Sequence, residues 1–527
     1  MSEALLTVKE ATAKLLDVVR EGSQHLPGSP TTQALTVGAV MGALTYLLLK
    51  KRYRLPPGPT AFPLVGNLLV FREKDPLYMI LLNWSKEKYG PVITLYFGPK
   101  RWVTLNSIDV VHEALVKKAT DFAGRPYAFW IAVRTCAGSK CQATAVLSNK
   151  QLGTARETYI CTFAFRSFMT GTPLEVAVHE IVPLAVDKMA AETGPFDPHV
   201  ILSSLMFSII YSMCFGERRG LDDPELLRLM HVLDTGNELI GNGLFEDVVP
   251  FLRLSLTPRA RQLKAILTEL FDLIRINVDK HKETLSKDNI RDMTDAVLLA
   301  QKRVEEEENP EKMAMFNDVH VRQIVSDLFV AGVDTTRMTL DWGLYLLASF
   351  PEIQRKTQEE IEAVTGDRMP QLADYGKLPY TEAVLYEIMR VGTGVPMGLP
   401  HETLCDTTVG GFDVPKGTMV LINHWALHND PDHWDKPEEF RPERFLDDQG
   451  KMAPKPESWL PFSTGRRACL GEAIAKPEIV LVLACILKRL NISLPPGDKF
   501  DPRPAFNSTA VYIPKPYRII VTRRTKP

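Results

Sequence analysis

One ten-residue segment, residues 462–471, constrains this chain more than any other feature of its sequence. It reads Phe-Ser-Thr-Gly-Arg-Arg-Ala-Cys-Leu-Gly, so glycines and arginines surround a single thiol, that of Cys469. Glycine tolerates positive φ and carries no Cβ, so it suits a backbone that bends tightly against a flat ligand. An arginine two residues before Cys469 can pair with a carboxylate and help keep the sulfur as a thiolate. The segment therefore predicts a loop that presents a cysteine thiolate to a planar group.

The bulk composition is that of a folded protein with a substantial core. Of the 527 residues, 45% are apolar and 24% are charged. The net charge of -2 gives no reason to expect nucleic acid as a partner. The seven cysteines are odd in number and form no C-x-x-C pair, so we do not expect a disulfide framework. A reducing compartment is favoured, and a thiolate ligand requires one.

The N-terminal part carries a candidate membrane anchor. Residues 26–49 contain no charged side chain, and the strongly apolar part of 16 residues at 34–49 grows to 19 when three more are included. That length just crosses a ~30 Å hydrocarbon layer as a helix. A basic cluster follows at once, which favours a cytosolic location for the rest of the chain. We predict a tail at 1–25, a transmembrane helix at 26–49, a basic and proline-rich hinge at 50–59, and one domain at 60–527.

The main domain shows more helical than strand-like patterns. Apolar runs at residues 92–97 and 102–105 predict two strands. The pattern over most of residues 174–347 predicts helices. The four glutamates at 305–308 predict a solvated loop between two of these helices. The expected fold class is mainly α with small β-sheets (α+β).

One predicted helix is long enough to cross the whole domain. Asn317 or Asp318 can cap its start, and Pro351 limits its end. About thirty residues span ~45 Å at ~1.5 Å per residue, so its middle should be buried. That middle contains Asp334 and Thr335, whose polar groups add no stability there. These two residues are candidates for chemistry; the alternative is a core helix with a polar kink.

Two further motifs accompany the cysteine. Glu387 and Arg390 stand at i,i+3 on one predicted helix, where they can pair. Arg444 follows in Arg-Pro-Glu-Arg-Phe and can add the bonds that a buried pair needs. His424 and His428 stand at i,i+4, a spacing that can bind zinc. No glutamate follows the first histidine, as a zinc hydrolase would need, so we favour a structural role for both.

In this order and spacing, the motifs resemble the cytochrome P450 family of haem-thiolate monooxygenases, over roughly residues 55–523. The resemblance implies the cytochrome P450 fold with haem b as cofactor. It implies that Cys469 is the axial thiolate ligand of the iron. It also implies that Phe462, Gly465 and Gly471 shape the loop against the haem.

The resemblance assigns roles to the remaining candidates. Asp334 and Thr335 become the acid–alcohol pair, with Thr335 bonding to the reacting oxygen and Asp334 feeding protons through water. Glu387, Arg390 and Arg444 become the family's structural network.

Three cations are implied to pair with the haem propionates: Arg467, His401 and Arg156. The chain departs from the family pattern near the last of these, because Leu152 stands where the family usually has tryptophan. The indole donor is therefore missing. Pro477 is a second departure from the family pattern. It costs ~3 kcal/mol of stability if it lies inside the helix that follows the loop.

The implied activity is insertion of one atom of O2 into a lipophilic substrate. No G-x-G-x-x-G occurs, so electrons should come from a separate protein, an NADPH-cytochrome reductase on the same endoplasmic reticulum membrane. Segments 122–126, 247–252 and 420–428 resemble the animal microsomal branch that contains steroid 17α-hydroxylase/17,20-lyase and the aryl-hydrocarbon hydroxylases, the former being nearer. We expect residues 201–242, with polar groups such as Asn237, to roof the substrate pocket.

These features favour steroid hydroxylation as the function of the protein. Hydroxylation of xenobiotic or planar aromatic compounds is an alternative. So are an O2-independent rearrangement, which would not need the Asp334–Thr335 pair, and a non-catalytic haem- or sterol-binding membrane protein.

Overall fold

Helices dominate the part of the chain that the structure, a computed structural model, describes. The described residues are 53–126, 172–241, 246, 255–307, 313 and 317–524, without residues 64 and 507. The predicted tail and transmembrane segment lie outside them, as does Arg156. In the described ranges no helix combines the length and the apolar character that crossing a membrane requires.

Twelve α-helices lie in the described residues. In chain order they are α1 (Leu77–Trp84), α2 (Ile108–His112), α3 (Thr172–Ala190), α4 (His199–Phe215), α5 (Pro224–Ile240), α6 (Pro258–Thr284), α7 (Met293–Glu306), α8 (Asp318–Ser349), α9 (Pro351–Thr365), α10 (Pro379–Gly392), α11 (His424–Asn429) and α12 (Glu472–Arg489). Short helical turns of other types lie at Leu68–Arg72, Ser85–Tyr89, Glu113–Lys117, Leu372–Asp374, Pro442–Phe445 and Gly465–Arg467.

The strands form three small sheets within these ranges. The strands are β1 (Val92–Phe97), β2 (Lys100–Leu105), β3 (His401–Glu402), β4 (Thr407–Val409), β5 (Phe412–Val414), β6 (Met419–Ile422), β7 (Leu490–Ser493) and β8 (Ile520–Arg523). The largest sheet has the order β1-β2-β6-β3, and only its β2–β6 pair is parallel. The pairs β4–β5 and β7–β8 are antiparallel. The expectation of a mainly helical chain with small sheets is confirmed, as is the strand predicted at residues 92–97.

Helix α8 is the long helix that the sequence predicts. The Asn317 side chain caps it by accepting from the backbone N–H groups of Val319 and His320. The helix ends at Ser349, two residues before Pro351 opens α9. It packs against α4, α6 and α10, which makes it the central scaffold of the domain.

Two sequence-based expectations fail in this fold. Glu305 and Glu306 belong to α7 rather than to a loop. Helix α4 is buried around its circumference, so this part of residues 201–242 is core rather than roof. Pro477 lies inside α12, as the conditional expectation for it required, and the helix continues to Arg489.

Candidate active site

The cysteine loop, residues 462–471, bends sharply just before α12. Gly465 has φ +75°, and a Cβ there would lie 1.9 Å from the carbonyl oxygen of Leu115. Glycine is therefore required at this position. The N–H of Cys469 donates to the Phe462 carbonyl oxygen at 2.9 Å, which closes the loop on itself. Gly471 is less constrained by its protein neighbours, because a Cβ there would lie 3.8 Å from the Cys469 sulfur, an ordinary contact.

The start of α12 supplies hydrogen-bond donors to the Cys469 sulfur. The Cys469 residue is exposed, but the protein packed around its sulfur raises the pKa of the thiol by desolvation, and the charge of Glu472 acts in the same direction. Backbone hydrogen bonds from Gly471 and Glu472 lower that pKa and so favour the thiolate. The Nε of Arg467 donates to the Ala123 carbonyl oxygen at 2.9 Å. A thiol of raised pKa becomes a thiolate when it coordinates a metal cation.

Cationic side chains gather where residues 122–125 meet residues 399–402. His401, in β3, is buried and its Nδ1 donates to the Phe122 carbonyl oxygen at 2.8 Å. Arg125, also buried, donates through Nη1 to the carbonyl oxygens of residues 399 and 400 at 3.0 and 2.9 Å. Gly124 permits this crossing, because a Cβ there would lie 2.5 Å from the Glu402 carbonyl oxygen.

The charges in this cluster oppose one another. Burial, and then the charge of Arg467, lower the pKa of Arg125 to about 9. Burial, and then the charges of Arg125 and Arg467, hold the pKa of His401 well below its usual value. Carboxylates placed here would relieve that repulsion. The structure thus brings together two of the predicted propionate partners, His401 and Arg467, and adds Arg125.

Arg125 is a candidate that the sequence analysis missed. It lies in Phe-Ala-Gly-Arg-Pro, residues 122–126, which was used only as a mark of resemblance. A signal was present, since an arginine directly after a glycine in an apolar segment has room to turn its side chain inward.

The middle of α8 has one open face. Ala331 and Thr335 are exposed although most of the helix around them is buried. The Thr335 hydroxyl donates to the Ala331 carbonyl oxygen at 2.7 Å, a bond to the preceding turn that tends to bend helices. Gly332 does not face this opening, since its hydrogen points toward Ile210, which a Cβ would meet at 3.5 Å. The open face therefore offers a hydroxyl next to space that a ligand can occupy.

Asp334 points away from that open face into a buried polar network. Its Oδ2 accepts from Asn237 Nδ2 at 3.1 Å, and its Oδ1 lies 3.4 Å from Arg337 Nη2. Arg337 is buried and also donates to Asp234 Oδ1 at 2.6 Å. Since Asp234 is 41% exposed, the network leads from the core to solvent. The structure does not bring Asp334 and Thr335 together, although they are neighbours in sequence.

Glu387, Arg390 and Arg444 form one buried network. Two nitrogens of Arg390 donate to the two carboxylate oxygens of Glu387 at 2.8 and 2.7 Å. Arg444 Nε donates to Glu387 Oε1 at 3.1 Å. Both guanidinium groups also lie over the Trp434 ring. These bonds satisfy charges that would otherwise be costly to bury.

Of the two paired histidines, His428 has no ring nitrogen free to bind zinc. Its two ring nitrogens are both within hydrogen-bond distance of other groups, Thr393 Oγ1 and the Leu460 N–H. The one cluster of possible metal ligands among the described residues lies elsewhere, at His281, Asp292 and Asp295. There His281 bonds to Asp292 at 2.7 Å, and Arg291 bonds to both oxygens of Asp295.

Three features of this geometry fit haem b. A soft sulfur ligand stands at a glycine-dependent bend, two arginines gather beside the buried imidazole of His401, and α8 opens beside a hydroxyl. Iron accepts a thiolate ligand, and the two propionates of haem call for cationic partners. Cys469 would hold the iron, and His401, Arg467 and Arg125 would hold the propionates.

Comparison with known proteins gives a consistent result. The model of the family described as Cytochrome P450 matches residues 56–521. Cytochrome P450 1A1 of Rattus norvegicus is 32% identical to this chain, over 88% of the chain and 90% of that protein. Cytochrome P450 1A1 of Platichthys flesus is 33% identical, over 92% and 95%. Cytochrome P450 2U1 of Mus musculus is 32% identical, over 96% and 99%.

Proposed function

Because this chain belongs to the cytochrome P450 family of haem-thiolate monooxygenases, we propose that Cys469 is the axial ligand of the haem iron and that the enzyme hydroxylates a lipophilic substrate. When bound, haem supplies the activation of O2 and the insertion of one oxygen atom, and the thiolate favours O–O cleavage. The observation that carries the proposal is the Cys469 sulfur at the start of α12, with two backbone donors directed at it.

The assignment of Cys469 has a direct spectroscopic test. The reduced carbon-monoxide complex of the full-length protein should show the long-wavelength band typical of thiolate ligation. Cys469→Ala should lose the band, whereas Cys485→Ala should keep it, because Cys485 is a buried thiol inside α12 and away from the loop. A Cys469→Ala protein that keeps the band would refute the assignment.

In this proposal Thr335 and Asp334 handle protons in different ways. Thr335 holds its hydroxyl on the open face of α8, where its oxygen lone pairs can bond to a substrate or to water. Asp334 sits behind that face and reaches solvent through Arg337 and Asp234. Arg337 keeps its proton, so protons would reach Asp334 from solvent through water beside this network, and would pass on to Thr335 through water.

We propose a steroid as the first candidate substrate, because within the branch that residues 122–126 and 420–428 resemble, steroid 17α-hydroxylase/17,20-lyase is nearer than the aryl-hydrocarbon hydroxylases. Planar aromatic compounds are the alternative. Asn237 is engaged with Asp334 rather than free for a substrate, which favours an apolar ligand with few hydrogen bonds. A screen of steroids against planar aromatics, read as the spectral change when water leaves the iron, decides between the two classes.

The proposal also includes a membrane and a partner. The predicted anchor at residues 26–49, with the tail 1–25, the hinge 50–59 and the domain 60–527, would tether the enzyme to the endoplasmic reticulum with the domain in the cytosol. An NADPH-cytochrome reductase would supply electrons. Two lysines of α12 are engaged within the protein, because Lys476 is buried against Glu472 and Lys488 donates to Thr365.

Reconstitution tests these two parts together. NADPH-dependent oxygen uptake should appear only when reductase is added, and deletion of residues 1–49 should weaken sedimentation with vesicles. Oxygen uptake that is absent at saturating reductase would favour the non-catalytic alternative.

A further inference from the structure

His428 connects the cysteine loop to the helix that carries Glu387 and Arg390. It lies in α11 and its side chain is fully buried. Its Nε2 lies 3.1 Å from the backbone nitrogen of Leu460, two residues before the loop begins. Its Nδ1 lies 2.9 Å from Thr393 Oγ1, directly after α10.

The chemistry of the partners fixes the tautomer of His428. A backbone N–H can only donate, so Nε2 must accept from Leu460. The ring proton therefore sits on Nδ1 and donates to the Thr393 hydroxyl, which donates in turn to the Arg390 carbonyl oxygen at 2.6 Å. Burial, and then the charges of His424 and Arg390, hold the pKa of His428 well below its usual value, which keeps the ring neutral. Three hydrogen bonds thus run in one direction from the loop to α10.

The backbone around this chain of bonds is fixed at both ends. The His428 carbonyl oxygen accepts from Arg390 Nη1 at 2.9 Å, so α11 is held by the buried network. On the loop side, the Leu460 carbonyl oxygen accepts from the Ser463 N–H at 3.1 Å. Trp459, the residue before Leu460, donates its indole N–H to the Tyr386 carbonyl oxygen at 3.0 Å. Two consecutive residues therefore hold the start of the loop on α10.

The second histidine, His424, also lies next to the Leu460 peptide. Burial lowers the pKa of His424 to about 4, and a hydrogen bond with the Leu460 backbone opposes that shift. The Leu460 peptide thus lies next to two neutral imidazoles, and its hydrogen bond to His428 is partly buried. A Leu460 N–H that lost this acceptor in a partly buried place would cost free energy.

We propose that His428 is a positioning residue that sets the place of Cys469, by fixing the Leu460 peptide nine residues upstream. The inference rests on the proposed role of Cys469 as axial ligand. It concerns the acceptor at Nε2 specifically, rather than the bulk of the ring.

Two substitutions separate the acceptor from the rest of the side chain. His428→Gln places an amide oxygen near the position of Nε2, where it can accept from Leu460, and gives up the bond to Thr393. His428→Asn keeps a donor near the position of Nδ1 and leaves Leu460 without an acceptor. Thr294→Val is the matched control, because it removes a buried hydrogen bond of 2.7 Å to the Cys214 carbonyl oxygen, which links α7 to α4 and does not involve the loop.

The readout is the thiolate band of the reduced carbon-monoxide complex in the full-length holoprotein, at urea concentrations below global unfolding. His428→Asn should raise the ratio of protein without the band to protein with it by roughly ten-fold. His428→Gln should rescue most of the band, and Thr294→Val should lower the urea midpoint without moving the ratio.

Each outcome decides the question. Equal ratios in the asparagine and glutamine variants, or a His428→Asn protein that only loses stability as Thr294→Val does, would overturn the inference. If the parent protein itself lacks the band, or Cys469→Ala keeps it, the proposed ligand fails instead.

Discussion

The sharpest quantitative consequence of the structure concerns Gly465. A Cβ at this position would lie 1.9 Å from the Leu115 carbonyl oxygen, whereas real Cβ atoms essentially never come closer than 3.0 Å. In Gly465→Ala, the loop or the turn Glu113–Lys117 must therefore move by the difference, about 1.1 Å. Overpacking of this kind costs ~1–3 kcal/mol. The positive φ adds ~1–2 kcal/mol for a residue with a side chain. We expect a total loss of ~2–5 kcal/mol and displacement of Cys469.

Gly450→Ala is the matched control for this prediction. Gly450 has φ +72°, close to the +75° of Gly465, but a Cβ there would meet nothing within 4 Å. It should cost only the ~1–2 kcal/mol of the backbone conformation. Urea unfolding gives both free energies, and the thiolate band of the reduced carbon-monoxide complex reports the position of the sulfur. If the two variants are equally stable and both keep the band, the contact with Leu115 does not shape the loop.

The remaining predictions concern protons, haem retention and pH. Thr335→Ala should uncouple electron use from product and release peroxide, because the open face of α8 loses its hydroxyl; unchanged peroxide per NADPH in a reconstituted assay would contradict this role. Arg125→Gln should speed haem transfer to a scavenging apoglobin by roughly ten-fold, the worth of one charged hydrogen bond, and an unchanged rate would remove Arg125 from the site. Burial lowers the pKa of His281, but its bonds to Asp292 and Asn277 outweigh that effect and the net pKa is raised. The stability from this histidine is therefore complete below about pH 6.5 and is lost as pH rises through the folded-state pKa. In His281→Asn, the urea midpoint should change less with pH over that range. A pH dependence equal to that of the parent protein would contradict this prediction.

Local chemistry explains why much of the scaffold was predictable. The capping oxygen of Asn317 and the missing N–H of Pro351 act within a few residues, so they mark the ends of α8 in the sequence itself. The same holds for β1, a run of β-branched and aromatic residues that ends at Gly98. The need for glycine at position 465 could also be predicted, because the pattern of residues around Cys469 indicates a tight bend.

The orientation of polar side chains was not predictable. Asp334 and Thr335 are neighbours in sequence, yet one turns toward Asn237 and the other toward the open face of α8. The Nε of Arg467 bonds to the Ala123 carbonyl oxygen, and backbone N–H groups at the start of α12 bond to the Cys469 sulfur, and neither partner was evident from the sequence. These partners come from segments more than 90 residues away or from backbone geometry, which a linear pattern does not record.

The amino-acid sequence by itself determined the family, the thiol, the long helix and the order of the motifs, because each depends on residue type and short spacing. Only the tertiary structure decided that Arg125 joins His401 and Arg467, that Asp334 faces away from Thr335, and that His428 holds the Leu460 peptide. The physical reason is that burial and charge act through space. Residues 279 positions apart, such as Phe122 and His401, become neighbours only when β3 is placed against the segment after α2.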